Sequence, residues 1–175
     1  MIHIGIDNGV SGSIGIVNGK SAFYCPMPVE KDLNYTKKKA FFNRVNVNEL
    51  MNLLKPYVQA DQCFCVLERP MKNPGRFAAT ISAVRALEAT EIVLKLLKVP
   101  RSYIDSKEWQ KGLLPSGLWR TVKDKNGRDR LKADPAELKL ASLEIGKRLF
   151  PSINFNGMKD ADGLLIAEYA RRNRL

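Results

Sequence analysis

The first third of the 175-residue chain alternates short apolar runs with tight polar turns. Ile2 to Asp7, Gly12 to Asn18 and Ser21 to Pro26 are rich in apolar and β-branched residues, and Asn8-Gly9 and Asn18-Gly19 between them are strong hairpin signals. A meander of three antiparallel strands is predicted. From Val29 to Asn43 the chain turns polar and carries Lys37-Lys38-Lys39, the pattern of a loop or edge segment. Val45 to Tyr57 then shows helical spacing through Val47, Leu50 and Leu54.

Cys63-Phe64-Cys65-Val66-Leu67 is continuously apolar, as a strand covered on both faces should be, and Pro70 stops it by removing a ladder donor. Glu68 therefore falls at the carboxyl end of that strand. A long helix over Arg76 to Leu97 places Ile81, Val84, Leu87 and Leu94 on its apolar side, and Arg101 to Ile104 reads as a short strand after Pro100. Ser106, the expected N-cap, opens a short helix to Leu113. A charged stretch from Arg120 to Lys132 follows, with Asn126-Gly127 as a hairpin tip. Asp134-Pro135 caps an amphipathic helix carrying Leu138, Ala141, Ile145 and Leu149, and after a loop from Pro151 to Lys159 a last helix runs from Asp160 to Arg172. No internal repeat or low-complexity segment is present, and the length suits one domain, 1–175, with a real core.

Charge narrows the partners. Lys and Arg number 29 against 18 acids, a formal charge of +11, which favours a polyanion because cations that neutralise phosphates release condensed counterions. Nucleic acid is the leading partner. The three cysteines, Cys25, Cys63 and Cys65, are too few and too closely alternated for a metal site, so they are expected to be reduced, buried thiols of a cytoplasmic protein. Met1-Ile2-His3-Ile4 has no basic region leading into a long apolar stretch, and no segment approaches the ~20 apolar residues that span a bilayer. Neither export nor a membrane anchor is expected.

Against this basic background, three distant segments each offer a carboxylate at an element's end: Asp7, Glu68, and Asp160 with Asp162. Each has a structural alternative, since Asp7-Asn8-Gly9 is turn chemistry, Glu68 could pair with Arg69, and acids at a helix start favour its dipole. Their joint placement points instead to a divalent-metal site, because hard cations take oxygen ligands from a few carboxylates plus waters and substrate phosphate.

In order, Ile4-Gly5-Ile6-Asp7-Asn8-Gly9 with Gly12 to Val17, Val66-Leu67-Glu68-Arg69-Pro70, and Asp160-Ala161-Asp162-Gly163-Leu164-Leu165-Ile166-Ala167 resemble the RuvC-type Holliday junction resolvases of the ribonuclease H-like superfamily. The resemblance runs through nearly the whole chain, and its brevity hints at a phage-encoded member, acting in the bacterial or infected-host cytoplasm. It implies an α/β fold with a five-stranded mixed sheet, three antiparallel strands then two parallel, flanked by helices. It further implies that Asp7, Glu68, Asp160 and Asp162 bind two Mg²⁺ ions per site, with Mn²⁺ able to substitute, and catalyse phosphodiester hydrolysis that leaves religatable 5′-phosphate and 3′-hydroxyl ends. Branched DNA and a homodimer paired through the long helix are the implied partners. One departure stands out: the family's last two acids are typically three positions apart, whereas Asp160 and Asp162 are two apart and would point about 200° from each other on a regular helix. They converge only if Asp160 precedes the helix.

Arg120, Lys123, Lys125, Arg128, Arg130 and Lys132 are expected to track a DNA backbone, and Lys72 and Arg76 to meet the scissile strand at the head of the long helix, while the resemblance implies that Lys107 and Lys111 lie near the cleft. Trp109 and Trp119 are expected in the core, with stacking on exposed bases as the alternative, and His3 is expected to be structural rather than a general base. The rivals are another ribonuclease H-like nuclease acting on RNA, hybrids or branched DNA, and a non-catalytic nucleic-acid-binding protein. A sugar-kinase or actin-type ATPase shares Gly-Ile-Asp-x-Gly but needs two such halves, and this chain is too short.

Overall fold

The computed structural model describes residues 1–19, 21–33, 40–71 and 74–175. In chain order its strands and helices are β1 (Ile2–Asp7), β2 (Ser13–Asn18), β3 (Ser21–Pro26), β4 (Val29–Leu33), β5 (Phe41–Val45), α1 (Val47–Ala60), β6 (Cys63–Glu68), α2 (Phe77–Leu96), β7 (Arg101–Ile104), α3 (Ser106–Leu113), β8 (Arg120–Lys123), β9 (Asp129–Lys132), α4 (Pro135–Leu149) and α5 (Asp162–Arg172). The main sheet has the order β3-β2-β1-β6-β7. Its first three strands are antiparallel, and β6 and β7 run parallel to β1, the mixed sheet implied by the resemblance.

Period-two alternation sorts this sheet into two faces. Ile2, Ile4 and Ile6 of β1 and Cys63, Cys65 and Leu67 of β6 join Leu50 and Leu54 of α1 and Val93 and Leu94 of α2 in one core layer. Val66 faces the other way, into a layer with Trp109 of α3, Ile145 of α4 and Leu164, Leu165 and Ile166 of α5. Cys63 and Cys65 are buried, free thiols on one side, as expected. The parallel register pairs Ile6 with Leu67, so one step further Asp7 and Glu68 stand side by side on the α5 face.

Glycine lets α5 reach them. A Cβ on Gly5 would lie 2.2 Å from the Ala167 nitrogen, and one on Gly15 2.2 Å from the Leu164 Cα, so any larger residue lifts the helix off the sheet. That close approach sets the height of Asp162 above the end of β1.

Four sequence expectations change. Within the stretch expected to be a loop or edge segment, the described residues form strands: β4 and β5 make a separate antiparallel pair, joined by an Arg44–Asp32 ion pair at 3.1 Å and with the Arg44 guanidinium 4.9 Å over the Phe42 ring. The buried face of α2 is Ala86, Thr90, Val93 and Leu94, whereas Ile81 and Val84 are exposed, because this helix is apolar on more than one side. The residue at the N-cap of α3 is Asp105 rather than Ser106. The last helix begins at Asp162, leaving Asp160 outside it. The charged stretch does form a hairpin, β8–β9, around Asn126-Gly127, and Asp134 caps α4 by accepting from the Ala136 and Glu137 N–H groups. Lys37, Lys38, Lys39 and Lys72 lie outside the described residues. No helix among the described residues is long and apolar enough to cross a membrane.

Candidate metal centre

Three of the four acids meet. Asp7, Asp160 and Asp162 each offer a carboxylate oxygen, and these oxygens lie within 4.8 Å of one another. The geometric objection to Asp160 disappears because Ala161, with φ −128° and ψ 25°, bends the chain before the helix starts. Asp160 then turns back on α5, accepting the Asp162 N–H at 3.2 Å through Oδ1, while the Tyr24 hydroxyl donates to its carbonyl at 2.7 Å. Asp162 is held from α4, where the Ser142 hydroxyl donates to its Oδ1 at 2.5 Å and accepts the Ala161 N–H at 3.1 Å.

Glu68 stands beside this trio rather than within it. It does not pair with Arg69, which instead meets Asp105 at 3.1 Å; the Trp109 indole N–H donates to Glu68 Oε2 at 2.7 Å. Trp109 is fully buried, so the stacking role weighed for it is ruled out, and its indole fixes the rotamer of Glu68. Trp119 packs, partly buried, on the same core layer. His3 sits at the opposite end of β1 from Asp7, its pKa lowered by burial.

The electrostatics are those of acids crowded together in a partly buried pocket. Burial first, then the like charges of Glu68, Asp162 and Asp160, push Asp7 up to about 8. Burial likewise pushes Glu68 to about 7, against the Trp109 N–H that favours its anion, and Asp162 to about 6, where Asp160 adds to burial and Ser142 and Lys139 oppose it. These groups titrate as a coupled set. Among the described residues Lys139 of α4 reaches them, forming ion pairs with Asp160 and, at 3.6 Å, with Asp162. Oxygen-only donors, mutual repulsion and a protein ammonium drawn into their midst make this a site suited to a hard divalent cation.

The basic residues are placed less tightly. Lys107 shares with Glu68 a cavity of about 690 Å³ at the carboxyl ends of β6 and β7, lined also by Arg69, Met71, Leu87 and Tyr103. Lys111 and Arg76 are exposed on α3 and at the head of α2. Arg120 pairs with Glu137 at 3.3 Å, which ties the root of the β8–β9 hairpin to α4, and Arg130 pairs with Asp124 at 3.0 Å. Lys123, Lys125, Arg128 and Lys132 are exposed and make no ion pair among the described residues. Sequence reasoning missed Lys139 and Ser142 as well as Trp109 as the partner of Glu68. The available signal was Ser142 itself, a polar residue on the apolar stripe of α4.

No family model and no curated protein matches the sequence. Solved structures do match. The chain is similar to T. thermophilus RuvC in complex with Holliday junction substrate, at 14% identity and a TM-score of 0.59, over 99% of this chain and 94% of that one. A second Thermus thermophilus RuvC structure matches at 14% identity and a TM-score of 0.53, over 99% and 97%. With its strand order, its mixed sheet and this end-to-end superposition, the chain has the ribonuclease H-like fold of the RuvC resolvase structures.

Proposed function

We propose that this protein is a Mg²⁺-dependent, structure-selective endodeoxyribonuclease that resolves four-way DNA junctions by hydrolysing phosphodiesters. The observation that carries the reading is the meeting of Asp7, Asp160 and Asp162, from opposite ends of the chain, within 4.8 Å of one another on the fold of a junction resolvase. Asp7, Asp160 and Asp162 would hold the metal, with Glu68 as the fourth ligand. Divalent ions there supply an activated water and charge stabilisation at the leaving oxygen. The chain's own residues do the rest: Trp109 orients Glu68, Ser142 orients Asp162, and Tyr24 pins the Asp160 backbone.

The exposed cations supply phosphate contacts, consistent with the +11 charge. A junction needs two symmetric cuts, and a two-fold dimer with one site per subunit provides them. Phe77, Ile81, Val84, Ile92 and Leu96 are exposed apolar residues along α2, interspersed with exposed charges, that a second copy would cover. The test is cleavage of a synthetic four-way junction, a linear duplex and an RNA–DNA hybrid, each with Mg²⁺ and with chelator. Paired symmetric cuts in the junction alone, abolished by chelator, support the reading. Preference for the hybrid would move the assignment to another ribonuclease H-like nuclease, and metal-independent binding without cleavage would make the protein a non-catalytic binder.

A further inference from the structure

We propose that Lys139 is a built-in counter-ion, which occupies the cation position of the acidic site in the metal-free protein and must be displaced when a divalent ion binds. The inference rests on the metal-centre reading above and extends it to a residue outside the acid set. The Lys139 ammonium bridges Asp160 and Asp162, two of the three acids whose oxygens converge, and its charge also reaches Asp7. A divalent ion ligated by the same two carboxylates would sit against that ammonium, and two cations at such range repel strongly in a partly buried site. Occupancy by one excludes the other.

The surroundings fit a group built to leave. Lys139 comes from α4 rather than from the segments that carry the acids, and its side chain is 47% exposed while those of Asp160 and Asp162 are 8% and 13% exposed. The carboxylates are therefore fixed and the ammonium has a path to water. Lysine suits that task, being a compact, well-hydrated charge on a flexible four-carbon stem. Three residues further along the same face of α4, Ser142 holds Asp162 through a hydrogen bond from its uncharged hydroxyl, which can persist whichever cation is present. One helix thus carries both a permanent support and a removable one. The removable one lets the buried acids coexist without metal, at the cost of competing with metal.

Competition of this kind is a reciprocal coupling, so removing Lys139 must tighten metal binding and weaken the metal-free fold together. The experiment measures Mn²⁺ affinity by calorimetry without DNA, and melting temperature in chelator, for the wild type, K139M, K139R and K147M. Lys147 is an exposed cation near the end of the same helix, so K147M controls for net charge. K139M is expected to bind Mn²⁺ about tenfold tighter, within the 5–150-fold range typical of such couplings, and to melt lower in chelator. K139R should stay near the wild type in both, and K147M should alter neither. Should K139M be poorly folded, K139Q carries the same comparison. Equal or weaker Mn²⁺ binding by the variants lacking the ammonium overturns the inference while leaving the metal centre intact. Absence of Mn²⁺ binding in every protein overturns both.

Discussion

The acids and the basic residues of this protein are held in opposite ways. Asp7, Asp160 and Asp162 sit against α5, which lies so close to β1 and β2 that only glycine fits at Gly5 and Gly15, and each acid is braced by the fold or by a named donor. The β8–β9 hairpin is the reverse: nearly every residue is exposed, and Arg120–Glu137 is its ion pair to α4. On the proposed function, the contrast separates two tasks. Positioning a reacting phosphate tolerates errors of a fraction of an ångström and needs a packed frame. Attracting a polyanion needs only charge within a Debye length, about 8–10 Å at physiological salt, and exposed lysines provide it.

Substitutions on the two sides should therefore fail differently. With Asp7 as the proposed ligand, D7N would remove a ligand charge from the packed side, and losing several kcal/mol of transition-state stabilisation at tenfold per ~1.4 kcal/mol would mean a fall of about a thousandfold or more in the proposed junction cleavage. Junction binding, measured by gel shift with Ca²⁺, should survive. W109F keeps part of the buried ring but deletes the donor to Glu68; cleavage should drop about 10–100-fold, as for other outer-shell partners of metal ligands, with some loss of melting temperature from the cavity left in the core. Replacing Lys123, Lys125, Arg128 and Lys132 together by Gln should weaken binding of all DNA alike and lower the log–log salt slope by about one unit per lost contact, with cleavage at saturating DNA near wild type. A loss of cleavage at saturation would place the hairpin in the reaction and erase the contrast.

The smallest effect is on stability. In the metal-free protein Asp7 rises from 3.8 to about 8, Glu68 from 4.5 to about 7 and Asp162 from 3.8 to about 6, so the folded state binds more protons than the unfolded one across that interval. Stability in chelator should then be greatest near pH 4 and fall as pH rises towards 8. Mg²⁺ should flatten the slope by holding the acids ionised. At pH 8 in chelator, D7N should melt higher than wild type, by about 2–4 °C for each kcal/mol of repulsion relieved. A pH-independent melting curve in chelator would show that the acids are not crowded.

The same contrast explains what could be read from sequence. β1, β3, β6 and β7 begin and end where the apolar runs and their punctuation place them, and the acids are legible because strand ends and a helix start fix their locations. The β4–β5 pair escaped because Val29, Lys31 and Leu33 alternate only weakly and their partners begin at Phe41, with no turn dipeptide adjacent. Ile81 and Val84 look like core on α2 since periodicity marks an apolar face without saying whether this chain covers it. Lys139 and Trp109 act through tertiary packing of α3 and α4, which leaves no local trace, and Ser142 shows only as a polar residue on the apolar stripe of α4. Asp160 is the instructive case. Helical geometry argued against it, and a bend at Ala161 brings it in.

The most direct test is a crystal soaked in Mn²⁺ and measured at the manganese edge. Anomalous density among the Asp7, Asp160 and Asp162 carboxylates, with Glu68 as a further ligand, is the predicted result. Manganese bound elsewhere, or none at millimolar concentration with the three carboxylates accessible, would contradict the account.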